Sequence, residues 1–248
     1  MNHEEGLHER LLESGEDFES SQYFAKLLKV SNLEDKKRLT LLYLESKFAE
    51  LLRQVDSGES LQELLKDISA VTSGIPASDE NGDFNELRWM TKNKSQDEER
   101  LEAFRPLTPL NEQALFTNAK GEPRIDREME NELATSDGVD VLVSFIKISG
   151  LRLLEKQLIR LRDRGVPVRV ITTTYMGATE KKAIDRLVNE LGVRVRIDLK
   201  PDSNRLHAKA WLFHRKTGYS TAIIGSSNLS QSALTYGTEW YVFTSSLL

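Results

Sequence analysis

The sequence predicts an α/β protein: a mixed β-sheet flanked by helices, preceded by a small α-helical N-terminal region. Three observations carry that expectation. From Val139 onward, short β-branched runs alternate with amphipathic stretches of helical length, as βαβ units require. Two of those stretches stop at a glycine, Gly165 and Gly192, where a helix C-terminus commonly needs one. Upstream, the apolar period is that of a helix rather than a strand.

Taken in order, residues 1–72 read as helical. In LTLLYLESKFAELLRQV, Leu41, Leu42, Leu44, Phe48, Leu51, Leu52 and Val55 fall on one helical face. SLQELLKDISAV follows, with Ser60 and Glu63 spaced as a capping box. Neither segment carries residues suited to chemistry, so the region reads as a packing or docking module. Residues 73–108 are rich in Gly, Pro, Ser and charge and read as a linker or long loop. Residues 109–248 form the α/β domain. Leu115–Phe116 reads as a short strand and Ile125–Thr135 as a helix. Val139–Phe145, Val168–Thr173 and Val193–Asp198 read as strands, with helices over Gly150–Arg164 and Thr179–Leu191 between them. Ala208–Phe213 and Thr221–Gly225 are separated by the hairpin-sized HRKTGYS and are expected to pair antiparallel. Ser230–Tyr236 reads as one or two helical turns and Trp240–Phe243 as a last strand.

Composition narrows the function. The 248 residues include no cysteine, which excludes disulfides, thiolate metal sites and cysteine nucleophiles and suits a reducing cytoplasm. The acidic N-terminus lacks the apolar core of a secretory signal, and no apolar run reaches membrane-spanning length, so a cytoplasmic location without membrane contact is expected. The net charge of −5 is unevenly divided. Residues 146–219 hold 17 Lys/Arg against 7 Asp/Glu, a balance of +10, while the first 145 residues carry −14. Such asymmetry suits one region that meets a polyanion, although solvated basic helix faces would give the same count.

Two stretches concentrate chemistry: LHAKAWLF, with His207 and Lys209, and IIGSSNLS, with Gly225, Ser226 and Asn228. On a strand, positions i and i+2 share a face, so His207 and Lys209 are expected to project together. An ammonium attracts a phosphate anion towards an imidazole nucleophile. A glycine at a strand end lets backbone approach a phosphate, and serine and asparagine supply neutral donors. No His/His/carboxylate set has metal-ligand spacing, so no metal or other cofactor is expected.

H-x-K followed by G-S-x-N and a later glutamate, here Glu239 in GTEWYV, resembles the phospholipase D superfamily. A bare H-x-K recurs by chance; the full set on this strand pattern is specific. DGVDVLVSFIKISGLRLL, RVITTTYMGATEKKAIDRL and RLHAKAWLFHRKTGYSTAIIGSSNLSQSALTYGTEW further resemble the phospholipase D-like module at the N-terminus of large bacterial superfamily II helicases, and GLHERLLES resembles their opening segment. No helicase P-loop is present, so a stand-alone or truncated version is expected. One departure stands out: His214 occupies the place where the family often has an aspartate.

The resemblance implies a metal-independent phosphodiesterase that works through a phosphohistidine. Two copies of the motif build the superfamily's site, and this chain has one. A homodimer joined through the active-site face is therefore implied, with His207 nucleophile in one subunit and general acid in the other. Lys209 and Asn228 would hold the phosphate oxygens, with Ser226 and Gly225 beside them, and Glu239 would orient the histidine. Thr172 and Thr173, at the end of a neighbouring strand, are candidate substrate contacts. DNA is the expected substrate, with a helicase as possible partner and restriction or defence as setting. The competing readings are a DNA-binding module of weak activity and, further off, a phospholipase.

Overall fold

The computed structural model describes residues 6–11, 24–53, 55, 84–119, 124–199 and 206–245. The chain divides into two compact units, residues 8–94 and residues 95–248 together with the first seven.

The first unit pairs a three-stranded sheet with one long helix. Its strands are β1 (Gly6–Leu11, of which residues 8–11 fall in this unit), β2 (Phe24–Val30) and β3 (Phe84–Thr91), in the order β1-β3-β2. β2 and β3 run antiparallel, with a register shift between Lys26 and Leu27. α1 (Leu33–Arg53) starts where Asn32 Oδ1 accepts the main-chain N–H groups of Glu34 and Asp35, at 2.8 and 3.3 Å. Leu39 of α1 is buried with Leu11 and Val30, and Leu42 and Tyr43 pack against them.

This differs from the expectation of a wholly helical residues 1–72 and a linker over 73–108. Strands β1 and β2 lie within the first span. Strand β3 and helix α2 (Lys94–Ala103) lie within the second. The physical reason is periodicity. Leu7 and Leu11, four apart, are both buried, and a spacing of four satisfies a strand as well as a helix. In β3, Leu87, Trp89 and Met90 are buried within an otherwise polar stretch, a signal too short to read as a period. The capping-box helix expected at Ser60 lies outside the described residues.

The second unit is a seven-stranded mixed sheet in the order β4-β10-β9-β8-β5-β6-β7. The strands are β4 (Ala114–Phe116), β5 (Gly138–Leu142), β6 (Val168–Thr173), β7 (Arg194–Asp198), β8 (Ala210–His214), β9 (Thr221–Gly225) and β10 (Tyr241–Ser245). β5, β6 and β7 are parallel; β8, β9, β10 and β4 add to the β5 edge antiparallel. The helices are α3 (Ile125–Thr135), α4 (Ile148–Asp163), α5 (Lys181–Asn189) and the short α6 (Gln231–Thr235). α4 packs against α3, α5 and α6.

The α/β architecture expected from the sequence is thus the one observed, including the antiparallel β8–β9 hairpin. One face of the sheet meets the helices: Val139, Val141, Val170, Trp211, Phe213, Ile223, Tyr241 and Phe243 are buried with Leu133, Leu151, Leu154 and Leu187. Gly150 makes the helix–loop contact possible. A Cβ there would stand 2.5 Å from the Leu229 carbonyl carbon. That close approach brings the Leu229 segment beside α4, where Lys147 N–H donates to Leu229 O at 2.8 Å.

Behind α3 lies a buried ion pair, Arg215 Nη2 to Glu132 Oε2 at 2.6 Å, with side chains 1% and 0% exposed. Thr221 Oγ1 donates to the same carboxylate oxygen at 2.7 Å, and Arg215 also reaches Tyr219 O and Thr135 Oγ1. The pair ties α3 to the β8–β9 hairpin, which carries both chemistry-bearing stretches.

Candidate active site

The β8–β9–β10 ladder positions the site. β8 begins at Ala210, two residues later than the expected Ala208, so His207 and Lys209 lie in the chain leading into the strand. The ladder still reaches Lys209, whose carbonyl accepts the Gly225 N–H at 3.1 Å. His207, ahead of it, stands exposed.

Lys209 is buried, and its ammonium donates to the His207 carbonyl at 2.7 Å. Burial pulls its pKa below the usual lysine value, and the Glu239 carboxylate, close enough to be felt, opposes that shift. A small cavity between Met129, Trp211, Ile223, Leu234 and Tyr241 reaches Lys209, Gly225 and Ser227. The result is a cation held short of full solvation and bonded to the backbone of the exposed His207.

Ser226 and Glu239 are hydrogen-bonded, Ser226 Oγ to Glu239 Oε2. The Trp240 N–H donates to Ser226 Oγ at 3.2 Å, and Ser226 N–H donates to Trp240 O at 3.1 Å. Glu239 therefore engages Ser226 and not His207, whose imidazole makes no hydrogen bond among the described residues. The histidine-orienting role implied by resemblance does not appear within one chain.

Asn228 is fixed from an unexpected side. Its Oδ1 accepts the Phe145 N–H at 3.0 Å, which leaves the amide NH2 as a donor. Phe145 and the Ile146–Leu229 bridge place the end of β5 against the G-S-x-N loop. Ser227, between Ser226 and Asn228, is buried and donates to Tyr241 Oη at 2.5 Å; that phenol in turn donates to Ala233 O at 3.1 Å. Burial pushes the Tyr241 phenol up to about 12, which keeps it a neutral donor. Neither Phe145 nor Tyr241 is signalled by the motif, because both act through strand neighbours distant in sequence.

Gly225 is also required by packing. Its carbon lies against protein: a Cβ would meet Trp240 O at 2.4 Å and a Tyr241 ring carbon at 2.9 Å. The glycine serves the crossing of β9 and β10, and thereby the Ser226–Glu239 contact. Thr172 and Thr173 are held by neighbouring segments of chain. Both are fully buried, with Thr172 Oγ1 donating to Ser144 O and Thr173 Oγ1 to Asp198 O, each at 3.2 Å. Neither presents a free hydroxyl to a substrate.

His214 lies at the far end of β8, paired opposite Gly138. Five residues of strand put it about 16 Å from Lys209, at roughly 3.3 Å per residue. Its Nε2 meets Asp140 Oδ2 at 2.9 Å, and that carboxylate also holds Arg169 at 2.5 Å. The Arg169 bond first, and His214 after it, keep the Asp140 carboxyl below its usual range. Among the described residues, no three His, Asp or Glu side chains gather as metal ligands, and no helix is long and apolar enough to cross a membrane.

Residues 133–247 match the family described as "Cardiolipin synthase, PLD-like domain". Solved structures similar to the chain include NucT from Helicobacter pylori, at 16% identity over 53% of this chain and 84% of that one, TM-score 0.39. Another is Nuc from Salmonella typhimurium, a phospholipase D family member, at 19% identity over 53% and 82%, TM-score 0.41. Yeast tyrosyl-DNA phosphodiesterase matches at 12% identity over 54% and 32%, TM-score 0.39. No curated protein matches the chain.

Proposed function

We propose that the domain is a metal-independent phosphodiesterase acting on DNA, with His207 as the nucleophile. The observation that carries this reading is the exposed His207, whose carbonyl accepts the buried Lys209 ammonium, with the Lys209 carbonyl bonded to Gly225 at the head of the G-S-x-N stretch, Ser226 bonded to Glu239 and Asn228 held by Phe145. A ring nitrogen of His207 attacks phosphorus, and the bond from phosphorus to the leaving oxygen breaks. The leaving oxygen takes a proton from the partner subunit's His207. Water then attacks the phosphohistidine, returns a proton to the partner subunit's His207, and the phosphorus–nitrogen bond breaks. Lys209 and the Asn228 NH2 offset charge that builds on the non-bridging oxygens.

One copy of the motif per chain leads to a homodimer with an isologous contact at the site face. The basic balance of residues 146–219 supports a polyanionic substrate, and DNA fits it through phosphate contacts. A helicase-linked or restriction role accords with the sequence resemblance. The test is cleavage of labelled DNA in EDTA by the wild type and by His207→Ala. EDTA-resistant cleavage that disappears in the variant supports the proposal. DNA binding without cleavage would favour the binding-module reading, and hydrolysis of phospholipid vesicles with no action on DNA would favour a lipid enzyme.

A further inference from the structure

Within residues 95–245 the aromatic side chains are used very unequally. Phe116, Trp211, Phe213, Tyr219, Tyr241 and Phe243 are buried. Only Tyr236 and Trp240 are exposed, at 72% and 63%. Both fall in the short stretch between α6 and β10, and Glu239 lies between them in sequence. Neither contributes to the core, and each leaves a large apolar ring in water at a hydrophobic cost.

Their placement is fixed. The Trp240 main chain is bound on both sides to Ser226, a residue of the site. The turn before it is closed by the Tyr236 and Gly237 N–H groups, which donate to Ser232 O at 3.3 and 2.7 Å. Gly237 packs so closely that a Cβ would stand 3.0 Å from that same oxygen. A ring on a rigid main chain loses little entropy when it meets a flat partner. Trp240 is exposed where its neighbour Tyr241 is buried, so the indole is open to solvent while its main chain is bonded to Ser226.

We propose that Tyr236 and Trp240 form a stacking platform for the bases of an unpaired DNA strand whose phosphate is engaged at His207 and Lys209. The proposal rests on the phosphodiesterase reading and adds the form of the substrate. Every base offers a flat face, so an aromatic platform beside a phosphate site accepts single strands with little regard to sequence. In a duplex those faces are already covered by neighbouring base pairs. The site therefore selects unpaired DNA.

The experiment compares a short fluorescent oligodeoxynucleotide, the same oligonucleotide with tetrahydrofuran abasic positions, and its blunt duplex. Binding in EDTA is measured for the wild type, Trp240→Ala, Trp240→Phe and Tyr236→Ala, with sedimentation of each. The wild type is expected to bind the strand with bases more tightly than the abasic one, by about 5- to 150-fold per stacked base. Trp240→Ala loses that ratio while keeping its abasic affinity, and Trp240→Phe retains most of it. Quenching of tryptophan fluorescence by the base-bearing strand accompanies binding in the wild type and is lost in Trp240→Ala. If the wild type binds abasic and base-bearing strands equally, or Trp240→Ala keeps the ratio, the platform is refuted while the phosphodiesterase reading stands. A Trp240→Ala protein that turns monomeric with its base preference intact would make the pair a subunit contact and overturn the proposal. Absence of binding to every DNA form would overturn both.

Discussion

Replacing Gly225 with alanine tests whether the β9–β10 crossing is what assembles the site. The added Cβ would stand 2.4 Å from Trp240 O, about 1 Å inside ordinary contact, and 2.9 Å from the Tyr241 ring. The first obstacle is backbone, so a side-chain rotation cannot relieve it and the strands must separate. Overpacking of this kind costs ~1–3 kcal/mol. Separation also stretches the two bonds between Ser226 and Trp240, at 3.1 and 3.2 Å, each worth about 1 kcal/mol. A loss of about 3 kcal/mol is expected, which lowers Tm on the order of 8 °C for a domain of this size. Urea and thermal unfolding measure it, and DNA cleavage below the transition reads the site. Gly165→Ala is the control: φ there is +71° with nothing within 4 Å, so only backbone strain of ~1 kcal/mol follows. A Gly225→Ala protein that unfolds with the wild type and cleaves at full rate would refute the assigned role.

Other outcomes follow from the same geometry. Lys209 has its pKa depressed by burial, so charging it disfavours the folded state, and that cost fades as pH rises towards its unfolded value of 10.5. Lys209→Met should therefore abolish cleavage yet raise stability at neutral pH, with the gain shrinking near pH 10 by urea unfolding. Glu132→Gln leaves Arg215 buried without its counter-charge and should cost about 3–5 kcal/mol, whereas Glu132→Leu combined with Arg215→Met recovers most of it. Asp140 has its carboxyl held low, so its contribution is present above the unfolded value of 3.8 and lost as pH falls through the folded one. Arg169→Ala should flatten that acid limb of the stability curve. His214→Asn, far along β8 from Lys209, should leave cleavage within about twofold of wild type.

The sequence and the structure agree best where local signals are bounded on both sides. Val168–Thr173, Thr221–Gly225 and Ile125–Thr135 begin and end at the residues expected, because a β-branched run or an amphipathic period meets a loop or glycine at each end. β1 and β3 were not legible, since their apolar residues are too few to separate a period of two from one of 3.6. At the site, the residue types of the H-x-K and G-S-x-N stretches were readable, but their partners were not. The Asn228 contact to Phe145 spans 83 positions and the Ser226 contact to Glu239 spans 13. Both depend on which strands lie side by side, a long-range outcome of burying the Val141, Trp211, Ile223 and Tyr241 face. The bonds from the Thr172 and Thr173 hydroxyls to Ser144 O and Asp198 O were illegible for the same reason, since they too depend on which segments lie side by side.

The central claim is a covalent bond from His207 to phosphorus. The measurement that tests it most directly is an alkaline quench of the protein with labelled DNA in EDTA during turnover, followed by mapping of the labelled peptide. Alkali preserves a phosphohistidine. The account predicts a DNA–protein adduct on the peptide containing His207, formed and consumed at the rate of cleavage and absent in His207→Ala. Cleavage that proceeds in His207→Ala, or label on any other residue, would contradict it.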